Sequence, residues 1–259
     1  AMLPCLTEHW GNPSSAYELA NLPAHMIEEA RSKVAALIGA NPRHVIFTSC
    51  GTESNNTAIQ SALHCQPTKR HIITSLVEHS ANIKLCSLLE KRGYETTYLP
   101  VDLDGGIDLC ELQDAIRPDT AIISLMWANN ETGIIQPVNE AAEIARKAGV
   151  LFHTDAVNAV GKIPISVTGA NIDMLSLSGH KFHAPKGVGA LYLRRGVAYK
   201  PLLTGGGQED GRRAGTEAVP QIVALGKAAE LAQQRLADSG AGKLAELRDL
   251  LEERLFEAI

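Results

Sequence analysis

The chain has 259 residues, of which 45% are hydrophobic and only 4% aromatic, and a formal net charge of -5. That length and apolar fraction allow a large domain with a sizeable core built from Ala, Leu, Ile and Val rather than from rings. The acidic balance and the lack of any Lys/Arg-rich run give no electrostatic case for nucleic acid or an anionic membrane surface, and no apolar stretch approaches the roughly 20 residues that span a bilayer.

The opening Ala1-Met2-Leu3-Pro4 reads as the end of a helix already under way. From Ala16 to Ile38, Ile27, Ala30, Val34, Leu37 and Ile38 recur at helical spacing, and Gly39 with Asn41-Pro42 stops the pattern. Val45 to Thr48 is a short buried strand, and Cys50-Gly51-Thr52 turns into a helix running to about Leu63. The alternation then repeats. His71 to Thr74 is a strand and Ser80 to Lys91 a helix; Tyr94 to Val101 contains a strand and Asp108 to Ile116 a helix. Ala121 to Met126 is a strand, Val138 to Ala148 a helix and Val150 to His153 a strand. Strands separated by helices predict a three-layer α/β/α sandwich with a mostly parallel central sheet.

After Asp155 the rhythm changes. Asp173 to Leu177 and Gly189 to Leu193 read as strands flanking a loop, and a Gly-rich, charged loop follows from Gly205 to Gly215. Helices close the chain, from Val219 to Leu236 and from Lys243 onward, with Ser239-Gly240-Ala241-Gly242 as the linker. Residues 1–238 are therefore expected to form the large domain and 239–259 the start of a smaller one, the chain being a piece of a longer protein. The five cysteines, Cys5, Cys50, Cys65, Cys86 and Cys110, are odd in number and contain no CxxC pair. No signal peptide is visible, so free thiols in a reduced, cytoplasmic setting are expected.

In open α/β sheets ligands collect at the carboxyl ends of strands. Thr52, His79, Asn130, Asp155, Ser178, His180 and Lys181 all fall at such exits. One would mean little; the set points to a single convergent site. Each has a plainer reading. A lone lysine after a strand is usually a solvated loop residue, but beside Ser178, Gly179 and His180 its amine is a Schiff-base candidate for an anchored aldehyde. Asp155 either caps a helix or holds the N–H of a protonated ring. Thr52 is either an N-cap or part of a small-residue loop where backbone N–H groups and the helix dipole meet a phosphate. His79 is either structural or a ring-stacking acid/base group. Asn129-Asn130-Glu131-Thr132-Gly133 has the composition of a turn. Arg212 and Arg213 are either solvated or anion contacts. No metal is expected, because His180 and His183 find no carboxylate or cysteine at ligand spacing, and no G-x-G-x-x-G follows the first strand.

Gly11 to Ser15, Thr48 to Asn55, Val77-Glu78-His79, Trp127 to Gly133, His153 to Val157, Ser178 to Gly189 and Gly205 to Glu217 together resemble the NifS/IscS cysteine desulfurases, in the class V aminotransferase family of fold-type I pyridoxal-phosphate enzymes. The Met126 to Asn130 and His180 to Pro185 wording leans to the NifS branch. The resemblance implies conversion of L-cysteine to L-alanine, with sulfur left as an enzyme persulfide for iron–sulfur, including nitrogenase, cluster assembly. It implies pyridoxal 5'-phosphate as cofactor, a homodimer, and an iron–sulfur scaffold protein as sulfur acceptor. It gives Lys181 the Schiff base, Asp155 the pyridine nitrogen, and His79 ring stacking and proton exchange. Gly51, Thr52, Ser178 and His180 would take the phosphate, and Thr216 that of the neighbouring subunit. Asn130 would lie near the ring hydroxyl and the substrate carboxylate. The sequence departs from the family at Asn158, usually Gln, at Asp210, often Arg, and at Ala218, often Asn. The family's acceptor cysteine would lie beyond Ile259, with Cys50 a bystander. A selenocysteine lyase, an aminotransferase and a non-catalytic sulfur-transfer scaffold are the alternatives.

Overall fold

The computed structural model describes residues 1–238 and 240–258. A short helix α1 (Leu3–Thr7) and a 3-10 turn (Glu18–Ala20) lead into α2 (Asn21–Leu37). The helix begins five residues later than the periodicity predicts, because Pro23 fits only in a first turn, where its missing N–H costs nothing. Then follow β1 (Val45–Thr48), α3 (Gly51–Cys65), β2 (His71–Ser75), α4 (Ser80–Glu90), β3 (Glu95–Leu99) and α5 (Leu109–Asp114). The second half comprises β4 (Thr120–Met126), α6 (Val138–Lys147), β5 (Leu151–Asp155), β6 (Met174–Ser178), β7 (Gly189–Leu193), α7 (Val219–Ala237) and α8 (Gly240–Ala258).

The seven strands form one sheet in the order β1-β7-β6-β5-β4-β2-β3. β7 runs antiparallel to both of its neighbours, and the remaining pairs are parallel. The carboxyl ends of β1, β2, β4, β5 and β6 therefore share one edge of the sheet.

Side-chain alternation divides the core into two layers. Phe47, Ile73, Ile123, Leu175 and Tyr192 join a cluster with α2, α6 and α7. Their strand neighbours Ile46, Ile72, Ile122, Met174 and Leu191 join another with α3 and α4. Strands buried on both faces need apolar residues at every position, which explains runs such as Ala121 to Met126. α2 and α7 touch closely at Gly226, where a Cβ would lie 2.5 Å from Ala30 Cα.

Several boundaries correct the sequence reading. β5 extends to Asp155, and β6 is shifted by one residue to end on Ser178. α8 starts at Gly240, so Gly240 to Gly242 are helical rather than a linker; Ser239 lies outside the described residues. All five cysteines are free thiols. No described helix is long and apolar enough to cross a membrane.

Candidate active site

The crossover from β1 enters α3 through Cys50, which occupies the N-cap in extended conformation and makes no side-chain cap. Thr52 is the second helical residue, so the capping reading fails. The first-turn N–H groups are thus left without a side-chain cap, at the positive end of the helix dipole. Glycine is required at 51: a Cβ there would stand 2.6 Å from Val157 Cγ2.

β6 delivers Ser178 as its last residue, and a 3-10 turn (Gly179–Phe182) follows directly. Ser178 Oγ and His180 Nδ1 are hydrogen-bonded at 3.0 Å. Burial, and then the Lys181 and Lys186 charges, hold the His180 imidazole below its ordinary pKa. Lys181 projects from the middle of the turn and is exposed. Gly179 N–H donates to Val188 O at 3.0 Å, which folds the Pro185-Lys186-Gly187 loop back onto the strand end.

Asp155 ends β5 as a buried carboxylate. Its Oδ1 accepts from Val157 N–H at 3.0 Å and its Oδ2 from Asn55 Nδ2 at 2.6 Å. It closes an Asx turn rather than capping a helix. Burial pushes its carboxyl above the usual value, against the opposing pull of Val157 N–H, Asn55, His79 and Lys181. His79 caps α4: its Nδ1 accepts from Ala81 N–H at 3.1 Å, which places the proton of the neutral ring on Nε2. Beneath it the buried Glu78 carboxylate accepts from Met126 N–H at 2.8 Å, Ser75 Oγ at 2.9 Å and Asn82 Nδ2 at 3.0 Å. Burial pushes its pKa up to about 8 even so.

Of the candidate residues chosen from the sequence, all but Asn130, Thr216, Arg212 and Arg213 line one cavity of about 130 Å³, joined there by Cys50, Asn55 and Val157. Asn158 lies on its wall, half-buried. Asn130 is exposed and donates to Glu131 Oε1 at 2.8 Å. The turn chemistry of that loop belongs to its neighbour Asn129, whose Oδ1 accepts from the Glu131 and Thr132 N–H groups. Thr216 is exposed in a separate cavity lined by Gly187, Arg213 and Glu217. Arg212 and Arg213, read from the sequence as either solvated or anion contacts, are paired within the chain. Arg213 Nε pairs with Glu53 Oε1 at 2.9 Å, and Arg212 Nε and Nη1 donate to the Glu209 and Arg43 carbonyls.

Sequence reasoning missed Asn55 and Glu78. Asn55 lies one turn beyond Gly51 and Thr52, so helical spacing puts it on their face of α3. Glu78 directly precedes His79, and a carboxylate in the short exit from the buried strand β2 into α4 is a candidate buried, hydrogen-bonded acid.

The aminotransferase class-V profile matches residues 1–258. The chain belongs to the class-V aminotransferase family. Within it, cysteine desulfurase 2 of Trichormus variabilis is 57% identical over 259 residues, covering 100% of this chain and 65% of that protein. The cysteine desulfurase NifS of Azotobacter vinelandii is 51% identical over 253 residues, covering 97% of this chain and 63% of its own length. A solved NifS-like protein superposes with a TM-score of 0.95 at 41% identity, over 99% of this chain and 71% of the other. This class-V chain thus spans just under two thirds of the curated relatives it matches.

Proposed function

We propose that this chain is the cofactor-binding large domain of a pyridoxal-phosphate-dependent cysteine desulfurase. The observation that carries the reading is the single cavity bringing Lys181, Asp155 and His79 together with the Ser178–His180 pair and the start of α3. Relatives named cysteine desulfurase at this level of identity support the choice of reaction.

The donor set fits the cofactor's three kinds of group. The uncapped N-terminus of α3, Gly51, Thr52, Ser178 and His180 are hydrogen-bond donors suited to a phosphate dianion. Asp155, with two fixed donors of its own, retains lone pairs for a ring N–H. Among the described residues, Lys181 supplies the only amine lining this cavity. The bound cofactor would supply the electron sink that makes removal of a substrate α-proton feasible. Lys181 would hold and move that proton, being the flexible amine in the cavity. His79, with Nδ1 occupied by the helix cap, would use Nε2 for exchange. Asn158 would face the ring hydroxyl, Asn130 the substrate side, and Thr216 the phosphate held by the other subunit of a homodimer.

L-cysteine and a protein thiol would give L-alanine and a protein persulfide, a transfer that balances without any outside oxidant. The acceptor thiol would lie outside these residues: Cys50, at the start of α3, would stand beside the phosphate, and none of Cys5, Cys65, Cys86 and Cys110 lines the cavity. The persulfide would pass to an iron–sulfur scaffold protein. Residues 239–259 would open a second domain; α8 exposes Leu244, Leu247, Leu251 and Leu255 at helical spacing, a face suited to further packing.

The test is twofold. Pyridoxal phosphate added to the protein should give a visible absorption band that Lys181→Ala abolishes. The full-length, cofactor-loaded protein should release sulfide from L-cysteine in the presence of a reductant. No band refutes the cofactor reading; a band without sulfide refutes the desulfurase and leaves another class-V reaction.

A further inference from the structure

We infer that Asn55 is a positioning residue for the cofactor's ring nitrogen, acting through Asp155. The inference rests on the cofactor reading above and assigns a task to a residue it leaves unused. Asn55 is 1% exposed, inside a helix where Ala or Leu would serve propensity better. Its one side-chain hydrogen bond runs to Asp155 Oδ2 at 2.6 Å, across 100 residues of sequence. Its own Oδ1 is buried with no partner among the described residues.

A buried acceptor without a partner is unfavourable and calls for a reason. The reason is directional. The two ends of an Asn amide have nearly the same shape, but only the NH₂ end attracts a carboxylate. Asp155 therefore dictates how the amide lies, and the unpaired Oδ1 is the consequence. With Val157 N–H on Oδ1 of Asp155 and Asn55 on Oδ2, one donor from each side fixes the plane of the carboxyl group. A carboxylate so held offers a ring N–H an acceptor already in place, with no reorientation on binding.

The test compares two ligands that differ only at the ring nitrogen: pyridoxal phosphate and its 1-deaza analogue, which carries C–H there. Both keep the aldehyde and the phosphate, so the contributions of Lys181 and the phosphate donors cancel in the ratio of dissociation constants measured by equilibrium dialysis. The wild-type protein should prefer pyridoxal phosphate. Asn55→Ala should reduce that preference about tenfold or more, the worth of one hydrogen bond to a charged group, while affinity for the deaza analogue stays nearly constant. Asn55→Ser, which keeps a shorter donor, should fall between them and serves if the alanine variant does not fold. Equal weakening of both ligands would mean a merely structural role and overturn the inference. So would an unchanged ratio, or a wild-type protein with no preference. If the wild-type protein bound neither ligand, the cofactor reading itself would fail.

Discussion

The Gly-rich loop is tied to the sheet by a buried ion pair whose removal has a calculable cost. Arg31 of α2 and Glu209 of the loop meet through two hydrogen bonds, Nη1–Oε2 at 2.7 Å and Nη2–Oε1 at 3.0 Å, with side-chain exposures of 8% and 3%. Glu209 Oε2 also accepts from Phe47 N–H at 2.9 Å, on the open side of edge strand β1. Arg31 stacks over the Phe47 ring at 4.7 Å and donates to Val45 O. Removing one member leaves a buried charge uncompensated, at about 3–5 kcal/mol. Glu209→Ala should cost that much, whereas Glu209→Gln, which keeps an acceptor for Phe47, should cost about 1.5–3 kcal/mol. Arg31→Met with Glu209→Gln removes both charges, so the double variant should be at least about 2 kcal/mol more stable than the sum of the singles. Urea titrations of the wild type and the four variants give these differences, and hydrogen exchange at the Phe47 amide reports the edge contact directly. A Glu209→Ala cost below about 1 kcal/mol, or strict additivity, would refute the argument.

Three further outcomes follow from the geometry. Gly51→Ala drives a Cβ against Val157 Cγ2; it should cost about 1–3 kcal/mol in thermal or urea unfolding and weaken pyridoxal phosphate in dialysis. Lys181→Ala, at an exposed position, should leave stability within about 0.5 kcal/mol while abolishing the visible band, and a large loss of stability would show the lysine to be structural. Burial lowers the His153 pKa from 6.5 to about 3. The unfolded chain therefore takes up a proton between those values that the folded chain does not. Its stabilisation is complete above about pH 6.5 and is lost as pH falls towards 3, by at most about 1.4 kcal/mol per pH unit. His153→Asn should flatten the acid limb of the stability curve by that slope, and superimposable pH profiles would contradict it.

The order of elements was legible because most strands are short apolar runs, β3 (Glu95–Leu99) being the polar exception, and they alternate with amphipathic helices. Strand order was not. Nothing local in Val45 to Thr48 shows that β1 lies beside β7, or that β7 reverses direction, because pairing is decided between segments far apart in sequence. Most of the site was legible for a related reason. Parallel strands bring their exits to one edge, so polar residues at those exits converge without any knowledge of which strand neighbours which. Thr216 and Asn130 fall outside the cavity for local reasons: Thr216 lines a neighbouring cavity at the same edge, beside Thr48, Ser49 and Gly187, and Asn130 stands exposed on the Asn129 turn. Asn55 was hidden because an Asn inside a helix carries no signal of its own, its partner lying 100 residues away.

The buried acids separate structural work from the site. Among the described residues these are Glu78, Asp155, Asp173 and Glu209, and each accepts a backbone N–H. For three of them that N–H belongs to a strand from elsewhere in the chain. Glu78 holds Met126 of β4, Asp173 holds Phe152 of β5, and Glu209 holds Phe47 of β1. Those carboxylates lock strands and loops in register, and two carry an arginine besides, Arg194 on Asp173 and Arg31 on Glu209. Asp155 differs. Its N–H comes from its own turn, two residues on, and its other oxygen, like that of Glu78, is held by a neutral amide rather than a guanidinium. It joins no distant strand and has no permanent counter-charge in contact. A buried carboxylate is expensive to keep without a counter-charge; burial raises the pKa of both Glu78 and Asp155, but only Asp155 lines the cavity, where under the proposed reading a cation arriving with the ligand would supply that charge. A protonated ring nitrogen would meet that description, and Lys181, whose charge already acts on Asp155, lines the same cavity.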